Sequence, residues 1–242
     1  MAIKRNFPKL ILPALIMIVV FMFGNMGGAV SERISVFHAI FYLDDRFVRV
    51  LMPTVRNAIN AAIYGWAYVL CPPIASIPVI SYYCDSRTSG FCDFMETRAG
   101  RRKYVARLFF SVFISTVLVT LLSCVFYMII CFIRFPLNPT PPEGMMIQII
   151  GPKESLSGLL WGAAVQFLEF AVYAGFLSIC GVIVALLYPK RYFILSIMFI
   201  VGYFINFVAL LNEWKAILLC VVIMIPSAAF IAESSRRGLI KI

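Results

Sequence analysis

Apolar and polar positions along this chain fall into long blocks. Six apolar runs stand out: about Lys9 to Val30, Ala58 to Tyr82, Tyr104 to Phe132, Leu159 to Tyr188, Tyr192 to Leu211 and Ala216 to Ala232. A helix needs roughly 20 apolar residues to cross the ~30 Å hydrocarbon core of a bilayer, so each run qualifies. None shows the period-two alternation of a barrel strand. The pattern predicts an all-α membrane protein with six transmembrane helices in one transmembrane domain over residues 1–242. The first run lacks a small-residue cleavage pattern, so it reads as a retained helix, not a signal peptide.

Composition agrees. The chain is 62% hydrophobic and 13% charged, with a mean hydropathy of +0.96. A soluble domain carries about a quarter charged residues, so too little polar surface is present to coat a water-soluble globule. Charge placement sets topology. With both termini in the cytoplasm, 14 of the 21 lysines and arginines fall inside and 7 outside, as the positive-inside rule requires. Arg33, Arg46, Arg49 and Arg56 of the first outer loop run against that bias, partly balanced by Glu32, Asp44 and Asp45. The net charge of +10 does not point to nucleic acid. The basic residues sit at the ends of apolar runs, where they meet lipid headgroups.

The loops carry pattern of their own. In the first outer loop, Ser31 to Asn57, the residues Val36, Ile40, Leu43, Phe47, Val50 and Leu51 recur at helical spacing. They predict an amphipathic helix at the outer interface, or an ordinary connecting helix. Pro136, Pro139, Pro141 and Pro142 forbid a regular helix at the start of the second outer loop. Gly24 with Gly28, and Gly158 with Gly162, have the four-residue spacing that lets helix backbones approach.

A few polar residues fall inside the runs. Glu169 is the one acidic residue deep in a span, where a charge costs about 3 kcal/mol on insertion scales. Gln166 lies one turn earlier, and Asn206 and Asn25 are weaker cases. Pro72, Pro73 and Pro78 interrupt the second run, and each removes a backbone donor. Such a break fits a transport path or a packing kink equally well. Glu169, Gln166, Asn206, Pro72 and Pro73 are therefore the substrate-path candidates.

Enzymatic chemistry finds no set of residues. His38 is the single histidine, and Asp44, Asp45, Asp85 and Asp93 all lie in loops. No G-x-x-x-x-G-K-[ST] run offers a phosphate cradle. The seven cysteines (71, 84, 92, 124, 131, 180 and 220) lie mostly within or beside apolar runs and read as small packing residues. No catalytic residue, metal site or bound cofactor is expected.

The sizeable polar block between two long runs is Cys84 to Arg107, CDSRTSGFCDFMETRAGRRKYVAR. It holds six of the 21 basic residues and three of the 11 acidic ones, which places it on the cytoplasmic side. Phe91, Phe94 and Met95 share one face of a short helix, with Asp93, Glu96 and Arg98 off that face. Such a helix would lie along the inner surface, facing either a soluble protein or lipid headgroups.

The string Asp85, Gly90, Arg98, Arg101, Tyr104, Arg107 resembles the segment between the second and third spans of type-2 ATP-binding-cassette (ABC) exporter permeases. The six-span layout with both ends inside is similar too, so the likeness covers nearly the whole chain. Phe91 departs from the family's frequent threonine, and the family's N-terminal cytoplasmic helix is reduced here to Met1–Pro8. The short hairpin between spans five and six, near Asn212 to Lys215, lacks the re-entrant helices of polysaccharide exporters. The resemblance implies a permease subunit in a bacterial cell membrane that exports an amphipathic or hydrophobic cargo such as a peptide, toxin or antibiotic. It implies a cytoplasmic coupling helix, within Arg87 to Lys103, that docks on a soluble ATPase subunit. Arg87, Gly90, Phe91, Asp93, Phe94, Glu96, Arg98, Arg101 and Arg102 would form the coupling surface. ATP and Mg would be held by that ATPase. A second permease chain, the same or different, would complete the path. The competing expectations are an ion-coupled carrier or channel, a membrane-embedded enzyme, and an immunity protein that transports nothing.

Overall fold

The computed structural model describes residues 2–26, 34–41, 54–138, 155–188 and 190–209. Helix α1 spans Ala2–Met22. It stops eight residues before the expected Val30, because Gly24 leads into a two-residue strand. That strand, β1 (Asn25–Met26), pairs antiparallel with β2 (Ile34–Ser35). The six-residue α2 (Val36–Phe41) follows directly. Val36 and Ile40 are buried, as their spacing predicts. Leu43, Phe47, Val50 and Leu51 lie outside the described residues.

Thr54 opens α3 (Val55–Ala62) by accepting a hydrogen bond from the Asn57 amide at 3.2 Å, a standard N-cap. A π-helical turn, Ile63–Ala67, joins α3 to α4 (Tyr68–Thr88). The second run is therefore longer at both ends than the apolar pattern indicates. The nine-residue α5 (Phe91–Ala99) leads into α6 (Arg101–Arg134). Helix α7 (Leu156–Leu187) starts at Ser155, whose hydroxyl accepts from the Gly158 amide at 3.1 Å. Helix α8 runs Arg191–Ala209. The sixth apolar run, the later prolines of the second outer loop and Cys220 lie outside the described residues.

Apart from the two-residue ladder, the described chain is helical. Two of its helices, Lys103–Arg134 and Leu156–Leu187, are long and apolar enough to cross a membrane, with 32 residues each. At about 1.5 Å per residue they exceed the hydrocarbon thickness by roughly half.

Two apolar clusters fill the bundle. The first gathers Met17 and Phe21 of α1, Tyr127 of α6 and Phe170 of α7. The second, toward α5, gathers Ile80 and Tyr83 of α4, Val112 of α6 and Met198 of α8. Close approach relies on other glycines than the spacing indicated. A Cβ on Gly24 would collide with the Ala61 backbone, and one on Gly181 with Met198. Around Gly162 there is open space, and Gly158 meets only its own Ser155 cap. The Gly158/Gly162 pair is a cap and a surface position, not a crossing point; Gly28 lies outside the described residues.

Helix α4 runs unbroken through Pro72, Pro73 and Pro78. A proline leaves the carbonyl four residues earlier without its helical donor. For Pro72 that carbonyl is Tyr68 O, and the Tyr173 hydroxyl of α7 donates to it at 3.2 Å. For Pro73 it is Val69 O, which lies 3.7 Å from the place a Cβ on Gly202 of α8 would take. The Tyr127 hydroxyl donates to Ala58 O at 2.9 Å, on the other side of the π turn. Both Pro72 and Pro73 are buried. Both lie where α4 packs against its neighbours in this conformation.

Candidate functional site

The polar block folds as a corner between α4 and α6 with α5 suspended in it. Helix α4 ends by C-capping. Ser89 N donates to Asp85 O at 3.0 Å and Gly90 N to Arg87 O at 3.2 Å. The Thr88 hydroxyl lies 3.1 Å from Cys84 O and 3.0 Å from Asp85 O, and can donate to either. Gly90 then takes φ +73° and Gly100 takes φ +77°. At φ values like these a Cβ meets the backbone, and glycine is the residue that adopts them freely. Two glycines thus set both ends of α5, and only Gly90 stood out in the sequence as a turn residue.

Among the described side chains of α5, Cys92 is the fully buried one. Its sulfur lies 3.1 Å from the Tyr104 hydroxyl of α6. Cys92 also belongs to the second apolar cluster with Cys84. The opposite face is unusual for an apolar pair. Phe91 is 47% and Phe94 56% exposed, with ring centroids 6.5 Å apart. Met95 beside them is half-buried, and Arg98 and Thr97 are exposed. Phe91 and Phe94 of the expected apolar face point away from the bundle, with Met95 half-buried beside them; among the described side chains the fully buried one is Cys92, which the spacing argument passed over.

The remaining coupling candidates separate. Arg87 belongs to the last turn of α4. Arg101 and Arg102 open α6. The expected inner helix within Arg87–Lys103 is therefore three pieces of helix with two glycine corners. Asp93, Glu96, Arg101 and Arg102 have backbone positions but no described side chains.

An ion pair closes the corner from the side. Arg191, first residue of α8, meets Asp85 near the end of α4. Both side chains are about half exposed, so the pair positions α8 more than it stabilises the fold. Next to it, burial pushes the Cys84 thiol above its usual range, and Cys92 adds to the rise while Arg191 opposes it. Lys190 lies over the Tyr188 ring, 5.1 Å from its centroid. A hydrogen bond with that tyrosine raises the ammonium's pKa.

The substrate-path candidates lie on three helices, α4, α7 and α8. Gln166 and Glu169 are half-buried on α7. Gln166 lines a small notch of about 20 Å³ with Arg56, Ile59 and Ala163 at the far end of the bundle from α5. Arg56 was assigned to the outer loop by sequence; its α3 helix places it beside Gln166. Asn206 lies on α8 with its side chain outside the described residues. Pro72 and Pro73 sit on α4 as above.

A different polar set is more deeply buried. Ser76 of α4, Thr116, Thr120 and Ser123 of α6, and Ser178 of α7 are all fully buried. Each serine turns back on its own helix: Ser76 to Pro73 O at 2.8 Å, Ser123 to Val119 O at 2.8 Å, Ser178 to Gly175 O at 2.6 Å. The hydroxyl oxygens of Thr116 and Thr120 have no such partner. A buried hydroxyl left unmade costs about 1–3 kcal/mol. The sequence signal was available, as two threonines and a serine at positions i, i+4 and i+7 in an otherwise apolar helix. It was outranked by the louder charge of Glu169.

The described cysteines form no disulfide with one another, and all but the half-buried Cys180 are buried. Among the described residues no cluster of three or more metal-ligating side chains forms. No family model matches the chain, and no curated protein or solved structure matches it.

Proposed function

We propose that this chain is the permease subunit of an ATP-driven ABC exporter in a bacterial cell membrane. In this reading six helices cross the bilayer with both termini in the cytoplasm, and α5 is the coupling helix. The observation that carries the reading is α5 itself. A short helix set between two positive-φ glycines turns a pair of phenylalanines outward beside Arg98. Phenylalanine and arginine are among the residue types enriched at protein interfaces. The block's basic excess places that face in the cytoplasm, where a soluble ATPase is the partner that could grip it.

The mechanism follows from the attachments. ATP and Mg bound by the partner draw two ATPase subunits together, and each grips one α5. The force enters at the aromatic face and passes through Cys92 and Tyr104 into α6, and through Gly90 into α4. Those helices, 34 and 21 residues long, carry it across the membrane as rigid bodies. Only a contact that differs between the ATP-bound and free partner supplies energy to such a switch. The chain itself performs no hydrolysis in this account. Two permease chains enclose the path, and the cargo is amphipathic or hydrophobic, such as a peptide or toxin.

The test is co-purification of the full chain with its soluble ABC ATPase from native membranes. The wild type is expected to retain the ATPase, and Phe91→Ser with Phe94→Ser to lose it while inserting normally. Absence of any ATPase from the wild-type complex, or equal retention by the double variant, overturns the proposal.

A further inference from the structure

The two apolar clusters meet at one layer of the bundle, and that layer is hydroxylic. On α4, Ala75 belongs to the first cluster and Ile80 to the second, with Ser76 between them. On α6, Val119 belongs to the first and Val112 to the second, with Thr116 between. On α7, Leu177 and Ile179 belong to opposite clusters, with Ser178 between. Three helices thus place a buried hydroxyl at the same boundary. Thr120 lies one turn along α6 from Thr116, on the same face, and Cys124 one turn further. All three are fully exposed to neither solvent nor lipid, at 0% accessibility.

Chance burial of polar residues in a helix has a usual outcome: the hydroxyl bonds the carbonyl three or four residues back. Ser76 and Ser178 of this layer do so, as does Ser123 further along α6. The hydroxyl oxygens of Thr116 and Thr120, fully buried on α6, have no partner. Their donor and acceptor capacity is unused. Such groups suit a ligand that supplies both a donor and an acceptor and is small enough to enter between packed helices.

We infer that this layer is a water-binding seam. When α6 parts from α4 and α1, water enters between the two clusters and hydrogen-bonds Thr116 and Thr120. The seam then carries a polar contact along α6 to Cys124, which shares the first cluster with Cys71 of α4. The inference goes beyond the exporter reading and does not need it, because a carrier or channel would use the same seam. It provides the bundle with a polar interior surface that Glu169 and Gln166, on the half-exposed side of α7, do not supply.

The experiment uses the full chain in sealed native-membrane vesicles, with single-cysteine variants retaining either Cys124 or Cys180. The probe is a charged, water-soluble methanethiosulfonate, which reacts with a thiolate in water. Cys180 lines an apolar groove with Ile197 and Val201 and serves as the control. Cys124 is expected to react, and Cys180 to resist the charged probe while accepting a lipid-soluble maleimide. Thr116→Val with Thr120→Val is expected to slow labelling of Cys124 roughly tenfold, the factor carried by one hydrogen bond of ordinary strength. Thr116→Ser with Thr120→Ser keeps the hydroxyls and is expected to restore the rate. The valine pair preserves shape, so its thermal midpoint should equal or exceed that of the wild type. An unreactive Cys124 in the wild-type seam, or equal labelling with valine and serine pairs, overturns the inference.

Discussion

The middle of α4 and the short α5 next to it are built on opposite terms. Around Pro72 each atypical feature of α4 has an answer in a neighbouring helix. Tyr173 takes the carbonyl freed by the proline, Tyr127 supports the turn before it, and Gly202 lets α8 close in. Among its described side chains α5 buries Cys92 and turns Phe91 and Phe94 outward, between two glycine corners at positive φ. A helix with three prolines is therefore the firmly held one, and a regular nine-residue helix is the one left to be held by something else. Proline in an apolar run marks demand on the neighbours, and exposure of aromatic rings marks demand on a partner.

The largest effect should come from the tight side of this contrast. Gly24→Ala drives a methyl into the Ala61 backbone and is expected to cost about 3 kcal/mol, the upper part of the overpacking range. Thermal denaturation in detergent reads it. Next, Tyr173→Phe should cost about 2 kcal/mol by removing the hydroxyl that donates to Tyr68 O. The cost should shrink in a Pro72→Ala background, where residue 72 regains an amide donor. A double-mutant cycle showing no coupling would break the account of α4.

At the corner, Gly100→Ala should cost about 1 kcal/mol through strain at positive φ, with a matching loss of coupling. Phe94→Ser should change stability by no more than about 0.5 kcal/mol, as for any exposed site, yet abolish ATPase retention. A large stability loss from Phe94→Ser would place the ring inside the fold and remove the contrast.

The smallest effect concerns pH. Burial holds the Cys84 thiol protonated in the fold, while an unfolded thiol ionises near pH 8.5. Below that pH the contribution is fully present. Above it the unfolded state sheds the proton first, so stability falls as pH rises toward the folded value. Cys84→Ala should flatten that alkaline decline, measured as thermal midpoints between about pH 7 and 10.

Much of the helical fold was legible because its cause is local. Apolar runs long enough to span gave α6, α7 and α8 to within three residues at each described end. Thr54 and Ser155 cap as their types favour. What stayed hidden depends on partners distant in sequence. Gly158 and Gly162 have the right spacing and meet nothing, whereas Gly181 has no paired glycine and meets Met198. The fate of the carbonyl freed at Pro72 rested on Tyr173, more than 100 residues away. At the corner, the face of Phe91 and Phe94 was readable from period, but its direction was set by Cys92 meeting Tyr104. Thr116 and Thr120 look ordinary in a helix until the serines around them are seen to bond differently.

The most direct measurement is the sidedness of α5. Phe94→Cys in a cysteine-free chain, in sealed vesicles of both orientations, can be exposed to an impermeant thiol reagent. The account predicts labelling from the cytoplasmic face alone, with protection when the ATPase is bound. Labelling from the external face would contradict it.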